Sequence, residues 1–197
     1  AEQTNYVPNI TLTDSMPIMT CSNRRRAKVA LDQCNKGYNS VKKRHYNGVK
    51  LHAISFLNPG SLPLPEYLQV TPASEHDLTA QRFLLEQLTN RVIVGDKAFR
   101  DKKLDRVVRQ NGGELLTPVV YQDNIQRALR ERTKAADDLY STAVSSIRQP
   151  IESWFNWIIE KTDIQRASKV RSLKGLLVHT FGKIAAALIA LAINSLF

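Results

Sequence analysis

The amino-acid sequence predicts a mixed α/β fold: an antiparallel meander, then parallel strands, flanked by helices and followed by a C-terminal helical extension. Three observations predict it. Strand patterning recurs three times before Pro72, with turn chemistry between. From Ser74 onward, helix signals alternate with short apolar runs. After Pro150, apolar residues recur at helical spacing.

The elements follow in chain order. Asn9 to Thr13 is rich in β-branched residues, and Ile10, Leu12 and Asp14 share one strand face by the two-residue period. Cys21 to Lys50 is strongly basic, with nine Lys or Arg against one acid, Asp32. Its turn residues, Gly37, Asn39, Asn47 and Gly48 among them, suggest a loop or an irregular ribbon. Tyr46 to Phe56 reads as the second strand, ended by Asn58-Pro59-Gly60. Tyr67 to Thr71 reads as the third.

Ser74 and Asp77 form a helix-start signal, and a helix is expected over Leu78 to Leu88. Val92 to Val94 is a short apolar run suited to a strand buried on both faces, ending at Gly95-Asp96. A helix from about Asp101 to Gln110 is stopped by Gly112-Gly113. Leu115-Leu116 supplies another strand, so this β-α-β unit implies a parallel pair. Asp123 to Tyr140 is charged and helical in character. A separate amphipathic helix carries Ile151, Trp154, Phe155 and Ile158, with Pro150 in its first turn.

Composition limits the function classes. Of 197 residues, 43% are hydrophobic, enough for a packed core. The net charge of +10 argues for a polyanionic partner, nucleic acid or an acidic membrane surface. Two cysteines, Cys21 and Cys34, are too few for a disulfide framework and suit a reduced cytosolic protein. The start lacks signal-peptide patterning, and Ala1 suggests a processed chain or a fragment. P-loop, G-x-S-x-G and dinucleotide fingerprints are absent. Ile184 to Phe197 is nearly all apolar but only 14 residues long. A membrane span needs about 20, so a buried terminal helix is preferred to a membrane segment.

An antiparallel meander followed by alternating helices and strands is the element order of an RNase H-like fold. In that layout Asp14 and Asp96 sit at the ends of neighbouring central strands, where open sheets favour ligand sites. Glu152 lies on a late helix docked against the sheet. Three converging carboxylates repel unless cations intervene, and two hard magnesium ions, or manganese, satisfy them. Such a pair suits in-line displacement at phosphorus. Each acid also has a plainer reading: Asp14 as a turn or cap residue before Met16-Pro17, Asp96 as a helix cap, and Glu152 as a first-turn acid favoured by the helix dipole.

Three blocks carry a family resemblance. Asp14-Ser15-Met16-Pro17-Ile18, Gly95-Asp96-Lys97-Ala98-Phe99 and Arg148-Gln149-Pro150-Ile151-Glu152 resemble the catalytic blocks of bacterial insertion-sequence DDE transposases. The stretch Thr71 to Asp77 resembles the segment before the helix between the first two acids. The resemblance runs from about Asn9 to the C-terminus. It implies an RNase H-like fold, two-metal phosphoryl transfer and DNA as substrate. Many relatives carry a Tyr three positions before the Arg and a Lys seven after the Glu. Here those places hold Ser145 and Ile159, with Lys161 close by. Relatives place a helical DNA-binding region before the first Asp, and only 13 residues precede Asp14.

Two basic clusters, Arg24-Arg25-Arg26 and Lys42-Lys43-Arg44, are candidate phosphate contacts, or else solvated charged loops. Tyr38 and Tyr46 lie among them and could stack on bases or pack structurally. Arg148 could grip a DNA phosphate or simply pair with Glu152, and the intervening Pro150 leaves their helical register open. The reading is thus a DDE transposase catalytic core: Asp14, Asp96 and Glu152 as catalytic metal ligands, Arg24, Arg25, Arg26, Lys42, Lys43, Arg44, Arg148 and Lys161 on DNA. Residues 1–165 would form the catalytic domain and 166–197 a helical segment on its core. Transposon-end and target DNA are the expected partners, a homodimer is allowed for, and a bacterial cytoplasm is the expected location. A truncated remnant that binds DNA without cutting it, and a membrane-associated basic protein, are the rival readings.

Overall fold

The computed structural model describes residues 7–22, 24, 29–39, 42–121 and 127–194. The elements are β1 (Val7–Ser22), β2 (Asn35–Asn39), β3 (Arg44–Leu57), β4 (Pro65–Pro72), α1 (Asp77–Leu85), β5 (Val92–Val94), α2 (Lys102–Gln110), β6 (Glu114–Leu116), α3 (Arg127–Thr162) and α4 (Leu173–Asn194). A 3-10 turn, Lys97–Phe99, stands between β5 and α2. The sheet has the order β2-β3-β1-β5-β6, with β4 also on β3. It is mixed: β2–β3 is antiparallel, while β1–β5 and β5–β6 are parallel. This is the RNase H-like α/β fold that the element order predicts.

By compactness the chain divides into two units. The first holds Ala1–Asp14, Ala53–Tyr67 and His76–Ser153. Its parallel strands β5 and β6 are three residues each. Ile93 and Val94 are fully buried, as the unbroken apolar run requires. Helices α1 and α2 supply Leu78, Leu85, Leu104 and Val108 to the same cluster as Ile93 and Phe99. Each such side chain contributes about 1.5–3 kcal/mol by leaving water. Asp101 caps α2, accepting from the Lys103 and Leu104 amides at 3.0 and 2.8 Å. Gly112 ends the connection at φ 75°, a left-handed conformation that suits glycine.

The second unit holds Ser15–His52, Leu68–Glu75 and Trp154–Phe197. Its hairpin pairs Asn35 with Gly48 through Asn39 with Arg44. Residues after α3 add a parallel bridge to β1, with the Met19 amide donating to Gln165 at 2.8 Å and the Ala167 amide to Met19 at 2.9 Å. On α4, Leu176, Thr180, Ile184 and Ala187 are buried, one stripe at helical spacing.

Several elements differ from expectation. β1 does not stop near Asp14 but runs on to Ser22, because Met16, Ile18 and Thr20 continue the buried alternation past Pro17. The basic stretch is not all loop: Asn35–Asn39 is a strand. Asp77 opens α1 with His76 as its cap residue, and Ser74 bonds Asn35 instead of capping. Pro150 is not in a first turn but inside one 36-residue helix. A mid-helix proline costs about 3 kcal/mol. Burial of Val144 and Ile151 before and after it, with Trp154 and Ile158 further on, outweighs that cost. The apolar terminal helix starts at Leu173, not Ile184, so its span Leu173–Ile193 reaches 21 residues, long and apolar enough by length and composition to cross a membrane. Only 22% of that apolar window is buried, so the helix packs along one side rather than being enclosed. His179 and Lys183, the polar interruptions, bond the Ile164 carbonyl at 2.9 Å and the Asp163 carbonyl at 3.1 Å.

Candidate active site

The first unit brings Asp14, Asp96, Arg148 and Glu152 onto one body of chain. β1 and β5 run parallel with Leu12 opposite Val94. Asp14 and Asp96 each lie two residues beyond that pair. Asp14 lies within β1, whereas Asp96 lies past the end of β5, in the turn that follows it. Asp14 therefore sits where β1 loses its parallel neighbour, inside a long strand rather than at its end.

Asp96 is held by its own turn. Its Oδ1 accepts from the Ala98 amide at 2.8 Å, capping the 3-10 turn. A Cβ on Gly95 would come within 2.9 Å of the Phe99 ring, so glycine is what lets Phe99 fold back beneath the turn. The block Gly95-Asp96-Lys97-Ala98-Phe99 is thus a compact device for holding one carboxylate past the end of a strand. The cap reading of Asp96 is borne out as geometry, and it does not occupy both carboxylate oxygens.

Arg148 joins the other two acids. Its Nη1 lies 3.1 Å from Asp14 Oδ2, and its Nη2 pairs with Glu152 Oε1. The helix is continuous through Pro150, so Arg148 and Glu152 share a face at four-residue spacing. The Arg148 and Asp14 side chains are 16% and 18% exposed and Glu152 is 44% exposed. Two carboxylates on one guanidinium are stable where either acid alone beside the other would be repelled. Arg148 Nε is buried without a hydrogen-bond partner. Among the described residues, no group of three or more His, Cys, Asp or Glu is arranged to hold a metal ion.

Sequence reading missed Gln81. It is 1% exposed on α1, accepts from the Thr13 hydroxyl, and donates to the Asp14 carbonyl at 3.4 Å. It fixes the backbone of β1 at the candidate acid. The available signal was a polar side chain at helical spacing between Leu78 and Leu85, since a buried amide must be paired. His76 stands at the start of α1 without a side-chain cap bond.

Arg24, Lys42, Lys43 and Arg44 are exposed, while Arg25 and Arg26 lie outside the described residues. Lys161 is exposed and lies 3.7 Å from Glu160. Cys21 and Cys34 are buried free thiols, and burial pushes the Cys34 thiol up.

A search of curated proteins returns no match. The family described as the transposase DDE domain matches residues 5–189, which includes all three acids and Arg148. With nearly its whole length matched, the chain belongs to the transposase DDE domain family.

Proposed function

We infer that this chain is a transposase catalytic core that cleaves and joins DNA strands with divalent metal, through Asp14, Asp96 and Glu152. The observation that carries the reading is that Arg148, from the third family block, contacts both Asp14 of the first block and Glu152 of its own. The family implies an enzyme of nuclease or transposase type, with DNA as partner and general use of divalent metals.

The donor set fits a hard ion. All three candidates are carboxylates, which magnesium and manganese prefer. The guanidinium on Asp14 and Glu152 marks the same spot as one where anionic charge needs a cation. Asp14 and Asp96 would be the principal ligands, and Glu152 would complete the set once Arg148 releases it. Held by these carboxylates, two such ions would supply an activated water or 3′-hydroxyl and neutralise the leaving oxygen. Arg148 has a second task in this reading: turned from Glu152, its fork fits a phosphate of the scissile strand. Asp96, whose Oδ1 accepts from the Ala98 amide, keeps its orientation throughout. Transposon-end and target DNA are the proposed substrates, with magnesium or manganese as cofactor, a bacterial insertion sequence as origin and the cytoplasm as location. A homodimer is compatible with this reading.

The test is nicking of supercoiled DNA carrying candidate transposon ends, with magnesium or manganese. Nicking by the wild-type chain and its loss in Asp96→Asn are expected. Unchanged nicking by Asp96→Asn sinks the assignment.

One observation favours a second reading, a chain that binds DNA without cutting it. Arg148 already neutralises two of the acids, and no three ligands are grouped for an ion among the described residues. DNA binding by gel shift without any metal-dependent nicking selects this reading.

A further inference from the structure

The β2–β3 hairpin carries an arrangement that the carboxylate chemistry does not use. From Asn35 to Lys50 the chain has five cations, Lys36, Lys42, Lys43, Arg44 and Lys50, and no acid. Along β2 the faces alternate: Gly37 and Asn39 are buried, Lys36 and Tyr38 exposed. A Cβ on Gly37 would stand 2.7 Å from the Ala73 Cβ, so β2 lies close against that segment and its outer face is fixed.

Tyr38 opposes His45 in the antiparallel register, and their rings meet at 5.1 Å, tilted by 58°. Tyr38 is 55% exposed, whereas Tyr46 is 2% exposed and belongs to the core. The structure thus separates two tyrosines that the sequence leaves equivalent. Tyr38 and His45 line a recess of about 440 Å³ together with Lys36, Lys50 and Ser74. The walls are fixed: Asn35 bonds Ser74 twice, at 2.6 and 2.8 Å, and Lys50 Nζ donates to the Glu75 carbonyl at 2.8 Å.

We propose that this recess binds an unpaired nucleotide of DNA, its base stacked on Tyr38 beside His45 and its backbone phosphates on Lys36 and the Lys42–Arg44 turn. The proposal rests on the reading of the chain as DNA-acting. An aromatic face flanked by cations, here Lys36 and Lys50, is the chemistry of single-strand recognition, because every base has a π-face and every linkage a charge. A paired base keeps its faces within its own stack, so a blunt duplex offers this surface phosphates alone. An acidic peptide would meet the cations but has no planar group for Tyr38.

The experiment measures binding by the full chain in EDTA, where no cleavage complicates the signal. The probes are a blunt duplex, the same duplex with a short single-stranded tail, and poly-glutamate. Wild-type protein binds the tailed duplex more tightly. Tyr38→Ala weakens tailed-duplex binding about fivefold or more and leaves the blunt duplex unchanged. Tyr38→Phe retains the preference, since the hydroxyl takes no part in stacking. Lys36→Ala weakens both and lowers the slope of log affinity against log salt by about 0.7–0.9. Equal binding of both duplexes by the wild type, or a Tyr38→Ala protein that keeps its tail preference, overturns the proposal. So does tighter binding of poly-glutamate than of tailed DNA. Nicking lost in Asp96→Asn with no tail preference in the wild type removes this site and leaves the catalytic reading standing.

Discussion

Arg148 sets its guanidinium 3.1 Å from the Asp14 carboxylate although 134 positions separate them, and the same group pairs with Glu152 one helical turn further along α3. One cation therefore couples the strand that carries the first acid to the helix that carries the last. The residues on either side are themselves held, Asp14 through Gln81 on its backbone carbonyl and Arg148 by a helix that continues through Pro150.

Arg148→Ala removes the cation that Asp14 and Glu152 share. Breaking a fully buried pair costs about 3–5 kcal/mol, and partial exposure of this site reduces that. A loss of about 1–3 kcal/mol in urea unfolding at low salt is expected. Added magnesium should recover part of it, because an ion can replace the lost cation. Stability equal to wild type with and without magnesium contradicts the shared-cation account.

Asp101 caps α2 and also pairs with Arg82 at 3.1 Å. The Leu104 amide is the main reason its carboxyl sits below the usual carboxylate range; desolvation opposes this, and the Arg82 guanidinium and the Lys103 amide lower it further. A depressed folded-state value means the carboxylate's contribution is complete above the unfolded value near 3.8 and is lost as pH falls through the lower folded value. Asp101→Ala should cost about 1 kcal/mol at pH 7. Asp101→Asn keeps the cap and should lose only about 0.5 kcal/mol or less, the worth of a surface pair. Unfolding curves at pH 7 and at pH 3 check this, with the gap between wild type and Asp101→Asn narrowing in acid.

Pro150 lacks the amide that would bond the Ser146 carbonyl one turn back in α3. Pro150→Ala should raise stability by about 2–2.5 kcal/mol, the helix-interior penalty less the entropy that proline removes from the unfolded chain. Thermal melting measures it. A lower melting temperature would mean that the packing of Ile151 and its neighbours depends on the proline ring itself.

Gly48 reads as a turn residue in sequence, yet it lies within β3 against β1. A Cβ there would stand 2.0 Å from the Ile18 carbonyl oxygen, and backbone cannot yield as a side-chain tip can. Gly48→Ala should lose about 2–3 kcal/mol, the upper range for overpacking. Gly60→Ala is the control, since its Cβ would meet nothing within 4 Å. Its φ of 81° strains alanine all the same, by about 1 kcal/mol. Denaturant midpoints compare the two, and a smaller loss at Gly48 than at Gly60 contradicts the close-approach account.

Much of the fold was legible because its signals are local. The run Val92-Ile93-Val94 before Gly95-Asp96 marks a buried strand with a tight turn after it, and Asp101 to Gln110 carries its own cap and stop. The boundaries that went astray are those set by distant packing. β1 passes Pro17 because Met16 and Ile18 find a core, and Asn35–Asn39 becomes a strand because β3 offers it a partner. α3 crosses Pro150 because burial on the same helix outweighs a lost hydrogen bond.

For the candidate site, the sequence by itself determined the family blocks, the acids and their order, since each block carries its own local geometry: a β-branched strand, a Gly-Asp turn, an Arg four residues before a Glu. Only the tertiary structure decided that Arg148 holds Asp14 as well as Glu152, that Gln81 anchors the Asp14 backbone, and that Tyr38 faces outward while Tyr46 is core. Those are contacts between residues far apart in sequence. Their partners are chosen by strand register and helix packing, which no local pattern encodes.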